Sequence, residues 1–312
     1  MDVLSDVIAA MRTGRPHSTR HELYAPWGMF FPSSQGAGFH VVLQGSCWLI
    51  PPPNGTPIAL GPGDVAFVHG EISHGLADSP STPLAEIKPQ REPYSRVRGE
   101  GSGAATVVLC GAYMLDETRA HPLLSEVQQI VHLPAQVGCH SSLRATVDLL
   151  GSELERPLLG IGAIVPALLD TLLLYILRAW FDQGPHNKEA SGWVAALNDP
   201  AIAAALTSIH DDPAHPWTVE QLGAEAGLSR AAFARRFTAL IGQPPLTYLT
   251  WWRMTTAARL LRESDVPLRV ISKQAGYTSD IAFSAAFKRE FGVTPGRYRR
   301  NQTSARRPTA SV

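Results

Sequence analysis

Two stretches of this chain, about fifty residues apart, carry the same pattern. Ala226-Gly227-Leu228-Ser229 leads into Phe233, Phe237 and Ile241-Gly242, and Ala275-Gly276-Tyr277-Thr278 leads into Phe283, Phe287 and Phe291-Gly292. A glycine turn between two short helices, followed by aromatic residues four apart on one helical face, is the signature of a helix-turn-helix unit. Written twice, it restricts the C-terminal third to an all-α unit in which two helices each present one outward face. Such a pair is what two DNA-reading helices need.

The charge distribution agrees. The 312 residues have a formal net charge of zero, yet residues 1–216 sum to −9 and residues 217–312 to +9. A basic unit joined to an acidic one fits a nucleic-acid binder attached to a segment that does not touch phosphate. The length is also more than one such module needs, and it leaves room for a second domain with its own core.

Other classes are excluded or disfavoured. Cys47, Cys110 and Cys139 form no CxxC pair and leave an odd count, so neither a zinc ribbon nor a disulfide framework is indicated. Met1 to Met11 has no basic n-region or long apolar core and does not read as a signal peptide. Leu168 to Phe181 contains Asp170 and Arg178 and is too short to span a bilayer. The expectation is a soluble, cytoplasmic protein with no membrane partner.

In the basic half, Thr218 with Gln221 three residues later predicts a capping box that opens a helix ending near Ala226. Gly227 turns the chain and Ser229 caps the next helix. Phe233, Phe237, Leu240 and Ile241 then face inward, leaving Arg230, Ala231, Ala234, Arg235 and Thr238 outward. Arg235 is the candidate for a base-edge contact, because a guanidinium reaches guanine O6 and N7 together. Pro245 starts a helix to about Glu263, whose length of about 28 Å approaches the ~34 Å repeat of DNA. In the second unit Leu268 to Ala275 supports, Gly276 turns, and Ser279 or Thr278 caps. The Phe283, Phe287 and Phe291 stripe is core, so Asp280, Ile281, Ser284 and Ala285 form the front, with Lys288 nearer the backbone. Arg297, Arg299, Arg300, Arg306 and Arg307 can meet phosphate.

Taken from Trp217 to Arg300, these residues resemble the DNA-binding domain of the AraC/XylS transcription regulators. The resemblance is carried by Leu228-Ser229-Arg230, Phe233-Ala234-Arg235-Arg236-Phe237, Tyr248-Leu249, Arg253-Met254, Ala257-Ala258-Arg259-Leu260-Leu261, and Gly276-Tyr277 through Ile281-Ala282-Phe283 to Phe291-Gly292-Val293-Thr294-Pro295. It implies a regulator that binds double-stranded DNA in bacteria, with RNA polymerase as a possible partner. Many relatives have arginine where this chain has Ala285, which implies fewer base contacts from the second reading helix and more reliance on backbone and shape.

The N-terminal part reads differently. Between about Leu23 and Leu115, Gly- and Pro-rich turns separate short apolar runs at Phe39–Ile50, Ile58–Leu60, Asp64–Val68, Leu84–Ile87 and Thr106–Leu109, which predict a small antiparallel barrel. The segment Gly63-Asp64 to Ser73-His74 resembles the second cupin motif, and Phe39-His40 with Gly45-Ser46-Cys47-Trp48 resembles the first. With Leu109-Cys110-Gly111, the similarity is to the cupin-type sensor domain of one subgroup of the same family. The resemblance places effector-binding histidines at His40, His69 and His74, and a divalent metal held by His40 and His74 is the rarer alternative. Val42 stands where the usual first motif has its second histidine. Cys47 and Cys110 are candidate redox groups, although buried, inert thiols are the commoner state.

Beyond Pro134, Leu143, Val147, Leu150 and Leu154 recur at helical spacing, and Ile164 to Phe181 predicts a second helix. These helices either pair two subunits as a homodimer or cap the barrel, and Asp182 to Ala190 reads as a linker. The expected fold is α+β: a cupin-like sensor domain at 1–134, a helical connector at 135–210 and a double helix-turn-helix domain at 211–312. The expected function is a DNA-binding transcription regulator, not an enzyme and with no catalytic residues. It would be controlled by a small-molecule effector or a redox signal. The alternative is a metal-dependent cupin enzyme fused to a DNA-binding domain.

Overall fold

A computed structural model describes residues 2–14, 16–34, 36–52, 55–87, 93–115, 121, 126–135, 140–183 and 192–306. Two compact units divide the chain: Arg12–Pro185, and a second made of Met1–Met11 together with His186–Val312.

In the first unit two sheets face each other. The strands are β1 (His17–Tyr24), β2 (Gly28–Phe31), β3 (Ala37–Gln44), β4 (Cys47–Ile50), β5 (Ile58–Leu60), β6 (Val65–His69), β7 (His74–Ala77), β8 (Ala85–Glu86), β9 (Tyr94–Arg98), β10 (Ala105–Tyr113) and β11 (Ile130–Leu133). One sheet runs β11-β6-β3-β10-β1-β9 and the other β5-β4-β7-β2-β8. Pairing is antiparallel except for β1 with β9 and β2 with β8, so the barrel is not wholly antiparallel as expected. The run Phe39–Ile50 also differs from expectation. It breaks at Gly45, whose φ of +75° turns the chain, and β3 and β4 belong to different sheets. Leu23, Met29, Val42, Leu49, Leu60, Val68, Leu76 and Val108 fill the space between the sheets.

Helices α2 (Ser141–Glu155) and α3 (Ile161–Gln183) belong to this unit and pack on each other. Helix α2 buries Leu143, Val147, Leu150 and Leu154, as their spacing predicts. Helix α3 has 23 residues, so the expectation that this stretch is too short to span a bilayer is corrected: by length and composition it could. Its Asp170 pairs with Arg12, and its Leu169 carbonyl accepts from the Tyr113 hydroxyl at 2.6 Å, so the helix is built into the barrel unit. Most of the expected linker, 184–190, lies outside the described residues.

The second unit is helical: α1 (Val3–Met11), α4 (Trp193–Asn198), α5 (Pro200–Asp211), α6 (Val219–Glu225), α7 (Arg230–Ile241), α8 (Pro245–Glu263), α9 (Leu268–Gln274), α10 (Asp280–Phe291) and α11 (Pro295–Arg306). It extends further than the expected 211–312. Trp193, Ile202, Leu206 and Ile209 are buried within it, because α4 and α5 cover the first helix-turn-helix. Helix α1 joins it from the far end of the sequence. Asp2 caps α1 by accepting from the Ser5 amide at 3.0 Å, and Val3, Val7, Ile8 and Met11 are buried. The buried Arg262 of α8 donates to the Ala10 carbonyl at 2.7 Å, and Asp6 lies 3.4 Å from His210.

Candidate functional site

Each reading helix is fixed by local chemistry that the sequence contains. Thr218 and Gln221 form the expected capping box at the start of α6. Ser229 caps α7 by accepting from the Ala232 amide, and Ser279 caps α10 through Ala282. Gly227 and Gly276 have φ of +64° and +76°, the left-handed backbone that these turns require. At Gly276 a side chain would meet the Ala214 carbonyl oxygen at 2.8 Å and the Arg253 guanidinium at 2.9 Å, so the position is closed sterically as well.

The inner faces are those expected. Phe233 and Phe237 of α7 are fully buried with Tyr248, and Phe283 and Phe287 of α10 are fully buried against Tyr298. That fixes the opposite faces outward. On α7, Arg230, Ala231 and Arg235 are exposed and Ala234 is half-buried; on α10, Asp280, Ile281, Ala285 and Lys288 are exposed and Ser284 is half-buried. Arg236, next to Arg235, points elsewhere and pairs with Asp199 at 2.5 Å. Among the described residues no side chain is recorded as pairing with Arg235, which leaves its fork available for base or phosphate.

Arg253 holds the two helix-turn-helix units through contacts that its sequence neighbourhood does not announce. From α8 it donates to the Pro213 carbonyl at 2.6 Å and the His215 carbonyl at 2.8 Å, and it abuts Gly276. One side chain therefore ties the entry of the first helix-turn-helix to the turn of the second. Arg253→Ala is expected to weaken DNA binding while leaving the α7 face intact, a loss readable as a reduced affinity with unchanged preference at the Arg235 position.

In the barrel the structure unites two of the three expected histidines. Cross-strand register sets His40 opposite Ala66 and Cys110, and His21 opposite Val108, on the inner face of the larger sheet. His74 of β7 reaches across from the other sheet, and its Nε2 lies 2.7 Å from that of His40. Phe31 stacks on His74 with centroids 5.0 Å apart. His69 does not converge with them. It lies one residue out of phase with Ala66 and Val68, on the face of Phe67, and its Nε2 bonds the Val127 carbonyl at 2.7 Å. His21, missed because His17-Ser18-Thr19-Arg20-His21 lacks an apolar strand pattern, joins the inner face.

Burial holds these imidazoles neutral. His40 is pushed well below the usual histidine range by burial, then by His74 and His21; His21 and His74 are each lowered to about 4 by burial. A depressed histidine contributes its full stability above the unfolded value of ~6.5 and loses it as pH falls toward the folded value. The thermal midpoint of the barrel unit is therefore expected to fall between pH ~6.5 and about 4, with a smaller fall in His74→Gln. An unchanged midpoint across that window would contradict the placement.

The residues do not fit a cupin metal centre. The two imidazoles face each other at hydrogen-bond distance, and among the described residues no group of three or more His, Cys, Asp or Glu is arranged to hold an ion. Cys47 and Cys110 are buried thiols held in the protonated form: burial, then Asp64, raises Cys47 to about 12, and burial, then Cys47, pushes Cys110 well above its usual value. Apart from the histidines, a cleft of about 90 Å³ opens among β3, β11 and α2, lined by Leu43, Leu133, Leu143, Arg144 and Val147.

With this geometry in place, the similarities to known proteins are consistent at both ends. The Cupin family matches residues 2–182, and a helix-turn-helix domain family matches residues 222–301. A protein of Streptomyces antibioticus named as an AraC-like transcription regulator is 33% identical over 96% of this chain and 99% of its own. The HTH-type transcriptional regulator MtrA of Neisseria gonorrhoeae is 28% identical over 96% of this chain and 98% of its own. Among solved structures, the DNA-binding domain of AdpA in complex with a target DNA is 32% identical, covering 35% of this chain and 96% of that domain with a TM-score of 0.33. The chain belongs to the AraC-like transcription regulators, with a cupin domain ahead of a DNA-binding helix-turn-helix unit.

Proposed function

We propose that Arg230, Ala231, Ala234 and Arg235 of α7 and Asp280, Ile281, Ser284, Ala285 and Lys288 of α10 form the DNA-contact face. The observation that carries this is the repeated geometry: two capped helices, each with a buried phenylalanine pair behind and these residues in front. Arg235 reads guanine by its two parallel donors, and Lys288 contacts phosphate. Arg235→Ala is expected to cost about 1–3 kcal/mol at one or two operator positions and to relax specificity there. Lys288→Ala should weaken all sequences alike. Equal, sequence-independent losses from both would contradict the assignment.

The barrel is proposed to sense a small organic effector beside His40 and His74, recognised without turnover. His40 leaves a buried Nδ1 with no hydrogen-bond partner among the described atoms, a polar demand that a ligand or water would meet. The high thiol values of Cys47 and Cys110 favour a bound effector over direct thiol oxidation. Subunits are proposed to pair through α2, α3 and the turn between them, where Leu149, Leu158, Leu159 and Ile164 are exposed apolar residues. A cytoplasmic location and action alongside RNA polymerase belong to the same proposal, as what a transcription regulator of this kind would require. Small molecules released from the purified protein, identified by mass spectrometry and titrated back with and without operator, test the effector reading. Linkage requires operator to change effector affinity, and equal affinities would refute the coupling.

A further inference from the structure

We propose that Ile281 reads a thymine methyl group in the major groove, so that the second reading helix recognises its half of the site by apolar contact. The inference rests on the DNA-contact face proposed above and adds base chemistry to it. Ile281 is 83% exposed, although the helix has a fully buried aromatic face on its other side. The cap at Ser279 fixes the helix start, so Ile281 stands in its first turn, the part that enters the groove in a helix-turn-helix. Around it are small residues, Ala282, Ser284 and Ala285, which let the helix approach closely while Ile281 protrudes.

The chemistry of the groove edge then selects the base. Thymine alone offers an apolar group there, its C5 methyl, and a branched aliphatic side chain has no polar atom with which to read anything else. Asp280 is compatible with the choice. Its carboxylate repels the O6 and N7 acceptors of guanine and can accept from the amino group of adenine or cytosine, so the selection of thymine rests on Ile281. The face has no arginine, in contrast to Arg230 and Arg235 on the first helix. A binding site built for this chain therefore has guanine in one half and a methyl-bearing T·A pair in the other, about one helical turn away.

The test uses the full chain and a duplex selected from a random pool. Each thymine of that duplex is replaced singly by deoxyuridine, which removes only the methyl group. At one or two positions the wild type is expected to bind the uracil duplex about three- to fivefold more weakly, the effect of losing one methyl contact. Ile281→Ala should bind thymine and uracil duplexes alike, and its exposure means that the change leaves the core untouched. Insensitivity of the wild type at every thymine, or full sensitivity retained in Ile281→Ala, would overturn the proposal. Failure to select any preferred duplex would instead overturn the contact face itself. Arg235→Ala separates the two, because it should relax a guanine position and leave the uracil effect unchanged.

Discussion

Phe287→Ala is expected to destabilise the helical unit by about 3–5 kcal/mol, a large part of the stability of a domain this size. Phe287 is fully buried and contacts Phe283 at 5.9 Å, Phe291 at 4.4 Å and Tyr298 at 5.4 Å between ring centroids. Its truncation leaves a cavity at the centre of the cluster formed by Met254, Leu261, Ile271 and Phe283. DNA binding should fall with stability, because the same ring holds the outward face of α10 in position. Denaturant unfolding of the full chain measures the loss, with Lys288→Ala as the exposed control expected to stay within about 0.5 kcal/mol of wild type. A Phe287→Ala protein as stable as the control would mean that the stripe is not core.

The second large effect is on affinity. Raising salt from about 50 to 200 mM should weaken duplex binding by about 10³–10⁵-fold if six to ten phosphates are neutralised. The +9 carried by residues 217–312 supplies enough cations for that number. The slope of log K against log salt counts the contacts, and removing Lys288 should reduce it by about one. A flat dependence would show that the basic half does not meet the phosphate backbone.

Much of the helical unit was legible because its signals are local. Thr218 with Gln221, Ser229, Gly227 and Pro245 determine starts, caps and turns within a few residues, and α8 spans Pro245–Glu263 as expected. The outward faces followed from the phenylalanine spacing alone. What escaped the sequence depends on contacts between distant segments. Helix α1 buries Val7 and Ile8 in a unit that resumes nearly two hundred residues later, and nothing local to Met1–Met11 says so. Arg253 could be matched to a family pattern, but its acceptors are carbonyls of residues 213 and 215, visible only when folded.

The barrel was legible in its motifs and less so in its strands. His40 and His74 were singled out together and do meet, whereas His69 was misplaced by one step of strand alternation. Strands β1 and β9 carry charged outer positions, with Glu22 flanked by Arg96 and Arg98, which masked their period-two pattern. Trp193 and Ile202 are buried in the second unit by contacts between helices, which no motif ahead of residue 211 announces.

The claim that one chain reads DNA with two helices is tested most directly by guanine and thymine modification interference on a selected duplex. The expected pattern is two major-groove patches on one face, centred about 10 bp apart, with Arg235→Ala removing one or two guanine signals from one patch and Ile281→Ala one or two thymine signals from the other. A single patch, or loss of both patches together from either substitution, would contradict it.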